Sequence, residues 1–113
     1  LNKSLVKLID NNHKTNKRII AVGTTVARTI EHFYNQSKIK KFNGFTSLYI
    51  TPGYKFKRIN TLLTNFHLPK SSLLLLTCAF GERKRIINAY LYAIKNNYRF
   101  FSYGDCMLID KLL

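Results

Sequence analysis

The feature that most constrains the fold is a short apolar run that ends at a glycine and leads into a helical pattern. Residues 18–22 read RIIAV, and Gly23 follows them. A run of this kind is typical of a buried β-strand. Over residues 26–35 the apolar side chains recur at i, i+4 and i+7, which predicts an amphipathic helix with Thr24-Thr25 as its N-cap. The pattern favours an α/β fold.

Similar patterns continue along the chain and alternate with turn signals. The predicted strands cover residues 18–22, 46–50, 55–59, 98–102 and 106–109, and the predicted helices lie near residues 5–9 and over 26–35, 72–80 and 86–94. Residues 38–44 and 64–69 are predicted as loops. The hydrophobicity of the strands predicts a sheet covered on both faces. No internal repeat or linker divides the sequence, so a single domain or part of one is expected.

The chain is strongly basic, with 19 Lys and Arg residues against 5 Asp and Glu residues and a formal net charge of +14. Because nucleic-acid phosphates release counterions when they bind Lys and Arg, this charge indicates a nucleic-acid partner. A second interpretation stays open, since the lysine, asparagine and isoleucine that are abundant here are also favoured by an A+T-rich genome. The charge therefore favours RNA binding without establishing it.

The cysteines and the apolar runs argue against several classes of protein. Cys78 and Cys106 lie in apolar segments far apart in the sequence and outside any zinc-ligand spacing, which predicts reduced thiols and no metal site. The longest apolar run, residues 73–80, is well short of the ~20 residues that span a bilayer. Residues 1–10 lack the apolar core of a signal peptide. We therefore expect a soluble, cytoplasmic protein without a membrane partner.

The turn between the first strand and its helix is a candidate anion site. Backbone N–H groups at a helix N-terminus are unpaired and lie at the positive end of the helix dipole. At Gly23-Thr24-Thr25, the glycine would let a ligand approach these groups closely, and Arg28 one turn later could hold a carboxylate or phosphate through two hydrogen bonds. The alternative is that glycine and threonine serve only as a turn and a cap.

A second candidate site is residues 64–70, which place an amide, an imidazole and an ammonium directly before an apolar helix. Polar groups held against a buried element are costly unless they are paired or used. His67 could act as an acid or a base near neutral pH. The alternative is a structural histidine that is hydrogen-bonded to loop carbonyls.

Two further stretches combine aromatic and charged residues. Residues 98–105 interleave aromatic side chains with Arg99, which suits base stacking and cation–π contacts, although such aromatics also form ordinary cores. Asp105, in a turn at a strand end, is placed like a catalytic carboxylate of an open α/β sheet, or is a plain turn residue. Residues 52–57 form a turn followed by a basic strand with Lys55 and Lys57, whose alternative is a solvated face.

Taken together and in this order, these stretches resemble the C-terminal part of the S-adenosylmethionine:tRNA ribosyltransferase-isomerases of queuosine biosynthesis. The two longest matching blocks are residues 64–71 (TNFHLPKS) and 98–105 (YRFFSYGD). The other matching stretches are residues 21–25 with Arg28 and Glu31, residues 52–56, residues 88–90 and residues 107–109. The resemblance extends from about residue 18 to residue 109.

The resemblance implies a specific reaction. Enzymes of this family transfer the ribosyl part of S-adenosylmethionine to the aminomethyl-deazaguanine wobble base of tRNA with a GUN anticodon. The ribose is isomerised to give epoxyqueuosine, and adenine and methionine leave. S-Adenosylmethionine is thus a co-substrate, and no metal is implied. The sulfonium acidifies the neighbouring carbon, so a base must take a proton to start the reaction.

The resemblance also suggests roles for individual residues. His67 and Asp105 are the candidates for proton transfer. The candidates for binding S-adenosylmethionine are Gly23, Thr24, Thr25, Arg28 and Asn65. The candidates for binding tRNA phosphates are Lys55, Lys57, Lys70 and Arg99. Four residues depart from the usual pattern of the family. Val26 replaces a small polar residue, Glu82 and Lys84 follow residue 80 where a glycine and then an acid are usual, and Cys106 replaces alanine.

Members of this family are considerably longer than this chain. Residues 1–113 are therefore expected to be a C-terminal fragment of the large α/β domain, a mixed sheet with flanking helices that is incomplete without the N-terminal portion. An inserted β-rich domain would be absent as well, and the start at Leu1 agrees with this. Three interpretations stay open: an inactive segment from a split or decaying gene, an enzyme reassembled with a separately encoded N-terminal piece, and a non-catalytic basic remnant that binds tRNA.

Overall fold

A computed structural model describes residues 1–36 and 41–111. These residues form four helices and three strands in an α/β arrangement, which confirms the predicted fold class. In chain order the elements are α1 (Lys3–Lys14), β1 (Ile20–Val22), α2 (Thr24–Asn35), β2 (Thr61–Asn65), α3 (Ser72–Gly81), α4 (Arg83–Lys95) and β3 (Cys106–Asp110). The predicted loop over residues 38–44 includes residues 38–40, which lie outside the described range.

The three strands form a mixed sheet in the order β1-β2-β3. β1 pairs with β2 in parallel, with Ala21 opposite Leu62, and β3 pairs with β2 antiparallel, with Ile109 opposite Leu62. The β1–α2–β2 segment therefore crosses over from one parallel strand to its neighbour. The antiparallel β3 starts at the edge of the sheet where β1 and β2 end, and this brings residues from distant parts of the sequence together.

The two faces of the sheet differ in their environment. Ala21, Leu62 and Ile109 point to the face covered by α2 and α3 and are buried. Ile20, Val22 and Leu108 point to the opposite face and are 54%, 63% and 66% exposed, respectively. We name this the outer face. The prediction of a sheet covered on both faces is wrong for the described residues, because both helices that contact the sheet pack on the same side.

The helices form for the reasons that their sequences indicate. In α2 the buried residues follow the predicted apolar stripe, with Ala27, Ile30 and Phe33 facing the core. The hydroxyl of Ser71 caps α3 by accepting the N–H of Leu74 at 3.2 Å. In α4 the residues Ile86, Tyr90 and Ala93 are buried at helical spacing. α1 covers Lys3–Lys14 and is therefore longer than the helix predicted near residues 5–9.

Two predicted strands are irregular segments because side chains take the backbone hydrogen bonds that a neighbouring strand would otherwise accept. In residues 55–59 the N–H groups of Lys57 and Arg58 donate to the carboxylate of Glu31 at 2.8 and 3.0 Å. In residues 98–102 the N–H of Arg99 donates to the carboxylate of Asp105 at 2.7 Å. The predicted strand over residues 46–50 is irregular as well, and the end of β2 lies in the stretch predicted as a loop.

Three further findings concern the cysteines, groups of potential metal ligands and helices that could cross a membrane. Both cysteines are free: Cys78 is buried, whereas Cys106 is exposed on the outer face, so the expected apolar surroundings hold for Cys78 alone. In residues 1–36 and 41–111, no group of three or more His, Cys, Asp or Glu side chains could hold a metal ion. No helix among the same residues is both long and apolar enough to cross a membrane.

Candidate active site

The polar residues singled out in the sequence meet at one edge of the sheet. β1 and β2 are parallel and end at Val22 and Asn65, while β3 is antiparallel to β2 and begins at Cys106, opposite Asn65. The residues that follow β1, follow β2 and precede β3 therefore lie along the same edge. We name this the site edge; it is formed by Gly23, Asn65, His67 and Asp105. Strand ends of open α/β sheets are common ligand sites.

The β1–α2 turn presents a helix N-terminus without a side-chain cap. Gly23 is the N-cap, with a φ of 95° in the region that favours glycine, and it donates its N–H to the carbonyl of Leu63 at 2.8 Å. Thr24 is the first helical residue, so the prediction of Thr24-Thr25 as the N-cap is corrected by one position. Because Gly23 has no side-chain acceptor, the first amides of α2 remain available to an anion.

Arg28 adds a positive charge near this helix start. Its side chain is half-buried, and within the described part of the chain it makes no hydrogen bond or ion pair. Side chains of a helix lean toward its N-terminus, so a guanidinium one turn inside α2 can reach the space in front of the first turn. Thr24 is buried and Thr25 exposed, so only Thr25 offers its hydroxyl to solvent at this turn. These groups suit a carboxylate or phosphate.

His67 lies beside this turn through a short chain of contacts. Gly23 is bonded to Leu63, and the next residue, Thr64, has its hydroxyl 2.7 Å from Nε2 of His67. The backbone N–H of His67 donates to the hydroxyl of Tyr90 at 2.7 Å. The imidazole is thus oriented by a buried side chain rather than by the loop carbonyls considered from the sequence. Burial lowers the pKa of His67 below its usual 6.5, which keeps the ring neutral at pH 7 and able to accept a proton.

The lowered pKa of His67 predicts how stability depends on pH. The unfolded chain binds a proton at this ring more readily than the folded chain does, so the contribution is fully present above pH 6.5 and is lost as the pH falls through the lower folded value. We expect the urea midpoint to fall between pH 7.5 and 5. The variant His67→Gln should show a flatter decline over this range. An identical decline in both proteins would contradict the burial of the ring.

Asp105 is engaged in a loop that it shares with Arg99. Its carboxylate accepts the N–H of Arg99 at 2.7 Å and lies 3.4 Å from the guanidinium, and its own N–H donates to the carbonyl of Arg99 at 2.9 Å. The Arg99 backbone hydrogen bond, followed by the side-chain hydrogen bond, lowers the pKa of Asp105 below its usual value. The carboxylate therefore remains ionised at neutral pH, which suits an electrostatic or positioning role better than that of a strong base.

Asn65 joins the end of β2 to the same loop. Its amide nitrogen lies 3.3 Å from the carbonyl oxygens of Gly104 and Asp105 and donates to them. A Cβ at Gly104 would lie 2.5 Å from the carbonyl oxygen of Arg99, so only glycine fits this turn. The amide of Asn65 thus holds the loop against the site edge. This contact leaves its carbonyl oxygen as the group that could meet a ligand.

The four basic residues predicted from the sequence fall into two groups. Lys70 and Arg99 are exposed on the segments that follow β2 and precede β3, near the site edge. Lys55 and Lys57 lie in the segment bonded to Glu31, which precedes β2 and therefore sits toward the opposite edge of the sheet. Lys70 and Arg99 thus lie near the site residues, whereas Lys55 and Lys57 lie away from them.

Glu31 holds the backbone of residues 57–59 in place, although no role was predicted for it from the sequence. Its side chain is fully buried, and its carboxylate accepts three backbone N–H groups of residues 57–59 as well as the hydroxyl of Tyr54 at 3.2 Å. A signal was present in the sequence, because Glu31 lies on the apolar stripe of α2 together with Ala27, Ile30 and Tyr34. Thr64 and Tyr90, which orient His67, gave no local signal.

Comparison with known proteins places the chain in a family. The profile of the family described as queuosine biosynthesis protein matches residues 1–109. The chain belongs to this family. The S-adenosylmethionine:tRNA ribosyltransferase-isomerase of Psychrobacter arcticus is 48% identical over 116 residues, which covers 98% of this chain and 29% of the relative. The protein of the same name from Coxiella burnetii is 50% identical over 110 residues, which covers 97% of this chain and 32% of the relative.

A solved structure supports the assignment of this chain to the family. The crystal structure of S-adenosylmethionine tRNA ribosyltransferase from Thermotoga maritima superposes with a TM-score of 0.90 at 43% identity and covers 95% of this chain. The match covers 38% of that protein. The resemblance inferred from the sequence is thereby confirmed as family membership. The chain spans about a third of the length of the curated relatives that it matches.

Proposed function

We propose that this chain carries part of the active site of an S-adenosylmethionine:tRNA ribosyltransferase-isomerase. The reaction moves the ribosyl part of S-adenosylmethionine to the aminomethyl-deazaguanine wobble base of tRNA and isomerises it to epoxyqueuosine. The observation that carries the proposal is the meeting of an uncapped helix N-terminus, a free arginine and a neutral histidine at one site edge. A tRNA substrate would place the protein in the cytoplasm, and the chemistry requires no metal.

The methionine carboxylate of S-adenosylmethionine is the anion that best suits the start of α2. The first amides of the helix and the hydroxyl of Thr25 would donate to it, while Gly23 allows close approach. Arg28 would pair with the same carboxylate through two hydrogen bonds, because its guanidinium has no described partner. The amide oxygen of Asn65 would face the remainder of the substrate. Thr24 is buried, so its contribution is through its backbone N–H.

His67 is the preferred candidate for the proton transfer that starts the reaction. The sulfonium makes the hydrogens on the neighbouring carbon acidic, and a neutral imidazole can accept such a proton at pH 7. The lowered pKa of His67 and its contact with Thr64 support this role. Asp105 remains a second candidate, but its hydrogen bonds to Arg99 support a role in holding the loop and the charge near the site edge.

Contacts to tRNA are proposed for the basic residues. Lys70 and Arg99 lie near the site edge and suit the phosphates beside the wobble base of a GUN anticodon. Lys55 and Lys57, toward the opposite edge, would contact phosphates farther along the RNA. The net charge of +14 supports such binding, and it also supports the second candidate function, a non-catalytic remnant that binds tRNA.

The outer face suggests how the chain acts with the rest of the family's polypeptide. More than two thirds of the relative's length lies outside the part that this chain spans. Ile20, Val22 and Leu108 form an apolar surface on the outer face. An apolar face of a sheet is normally buried against another part of the protein. We assign the chain to a fragment of the large α/β domain and expect the N-terminal portion and an inserted β-rich domain to complete it. By itself the fragment should not catalyse the reaction.

Co-expression tests this proposal. The chain is produced together with the part of the Psychrobacter arcticus relative that it does not span; we name the product the assembled pair. We expect adenine release from S-adenosylmethionine, dependent on tRNA, by the assembled pair and by neither piece alone. If the pieces assemble and release no adenine, the catalytic role is wrong. Salt-dependent tRNA binding by the chain alone in that case would favour the non-catalytic remnant.

A further inference from the structure

The loop over residues 98–105, which we name the aromatic loop, presents two aromatic rings to solvent. Phe101 and Tyr103 are 55% and 98% exposed. The other two rings of the loop pack inward. The ring of Tyr98 lies 6.0 Å from Phe66, and the ring of Phe100 lies 5.2 Å from Phe66 and 6.1 Å from Tyr90. Since Tyr98 and Phe100 already pack the loop against the core, core packing does not account for Phe101 and Tyr103. Their exposure calls for a separate explanation.

Phe101 adopts a backbone conformation that bulky residues avoid. Its φ is 70°, in the left-handed region that favours glycine. Its N–H donates to the carbonyl of Phe66 at 3.0 Å, and its carbonyl accepts the N–H of Gly104 at 3.0 Å. These two hydrogen bonds hold the conformation against the strain. A phenylalanine at a position suited to glycine, with its ring in solvent, points to a use for the ring itself.

The aromatic loop is held firmly next to the site edge. The carboxylate of Asp105 joins the two ends of the loop by accepting the N–H of Arg99, and the amide of Asn65 ties its C-terminal end to β2. The N–H of Phe101 donates to the carbonyl of Phe66, the residue before His67. The backbone that carries the two exposed rings is therefore held in place before any ligand arrives. A loop whose backbone is already ordered loses less conformational entropy when its rings stack on a base.

We propose that Phe101 and Tyr103 form a stacking surface for a nucleobase at the site edge. Flat aromatic faces bind any base through its π-face, and the exposed guanidinium of Arg99 can add cation–π or phosphate contacts beside them. The inference rests on the proposed function, which brings two nucleobases to this edge, the wobble base of tRNA and the adenine of S-adenosylmethionine. Both present the same stacking chemistry, so the experiment must distinguish them.

Binding measurements test the stacking surface without relying on turnover. The variants are Phe101→Gly, which removes the ring and suits the φ of 70°, and Tyr103→Ala. The control is Phe45→Ala, because Phe45 is fully exposed and lies near the C-terminal half of α2, away from the site edge. The probes are an anticodon hairpin RNA with guanine at the wobble position, the same hairpin with an abasic wobble position, and S-adenosylmethionine, each with the chain alone and with the assembled pair.

The expected result is a loss of affinity of roughly 5- to 150-fold for one probe in both loop variants and unchanged affinity in the control. If the wobble base is the ligand, only the intact hairpin loses affinity; if adenine is the ligand, only S-adenosylmethionine does. Phe101→Gly should not lower the urea midpoint, since it relieves backbone strain. Unchanged affinity for both the intact hairpin and S-adenosylmethionine would overturn the proposal. So would loss of pair assembly in the loop variants, because the rings would then be covered by polypeptide.

An assembled pair that binds a base through these rings but releases no adenine would retain the stacking surface and refute the proposed function alone.

Discussion

Replacing Glu31 by alanine is expected to lower the free energy of unfolding by about 2–4 kcal/mol. The carboxylate is fully buried and accepts backbone N–H groups at 2.8, 3.0 and 3.4 Å. Alanine would leave these donors without a partner, and each buried donor left unpaired costs about 1–3 kcal/mol unless water reaches it. Urea unfolding at pH 7.5 measures the change. Glu82→Ala removes the same side chain from an exposed site and should change stability by less than about 0.5 kcal/mol.

A second readout of the Glu31 variant depends on Tyr54 rather than on unfolding. Burial, followed by the charge of Glu31, raises the pKa of Tyr54 to about 12. In Glu31→Ala the charge is gone and the segment that carries Tyr54 is released, so this tyrosine should ionise at lower pH. A spectrophotometric titration of tyrosine follows the change. Wild-type titration behaviour together with a loss of less than 0.5 kcal/mol would show that Glu31 does not anchor residues 54–59.

Replacing His67 by glutamine in the assembled pair is expected to lower the rate of adenine release by about 10²–10⁴-fold. Glutamine retains polar contacts near Thr64 but cannot accept a proton from carbon at neutral pH. If His67 is the base and the methionine carboxylate binds at α2 as proposed, kcat should fall while the KM for S-adenosylmethionine changes little. His32→Gln, a half-buried histidine in the C-terminal half of α2, serves as the control. Turnover that survives in His67→Gln would remove His67 as the proton carrier.

Asp105 requires a variant that separates its two proposed roles. Asp105→Asn retains an oxygen that can accept the N–H of Arg99, so the aromatic loop should keep its position. A fall in kcat with an unchanged urea midpoint would then support proton transfer or charge stabilisation by the carboxylate. A rise in KM with a small change in kcat would support the positioning role. If both His67 and Asp105 can be replaced without loss of turnover, neither carries the proton.

The elements that local periodicity describes well were predicted correctly. An apolar run predicts α3, and apolar residues at helical spacing predict α4. A short alternation of apolar residues predicts β3. The segment over residues 55–59 has the charged and apolar composition expected of a half-exposed strand, and Phe56 and Ile59 are buried, but it is not a strand. Its backbone donors go to Glu31 rather than to a neighbouring strand. Periodicity reports which side chains are buried and does not report where the backbone hydrogen bonds go.

The candidate site was predicted in pieces rather than as a whole. Gly23 and His67 stand out locally, as a strand–helix turn and as a histidine in an unusual block. Their proximity depends on the pairing of Val22 with Leu63 and on the hydroxyl of Thr64, which are long-range or tertiary facts. The hydrogen bond between Asp105 and Arg99 joins residues that are close in sequence, but it forms only because the chain turns at Gly104, and the sequence did not predict that geometry. The exposure of the outer face follows from where α2 and α3 pack and has no signature in the strands.

The measurement that tests the central claim most directly is mass spectrometry of tRNA nucleosides from cells in which the native gene for the family enzyme has been deleted. The cells express this chain, the part of the Psychrobacter arcticus relative that it does not span, or both. If this chain supplies part of the active site, epoxyqueuosine appears in tRNA only when both pieces are present, and it disappears again with His67→Gln. Absence of the nucleoside when both pieces are present and assembled, or its appearance with the relative's part alone, would contradict the account.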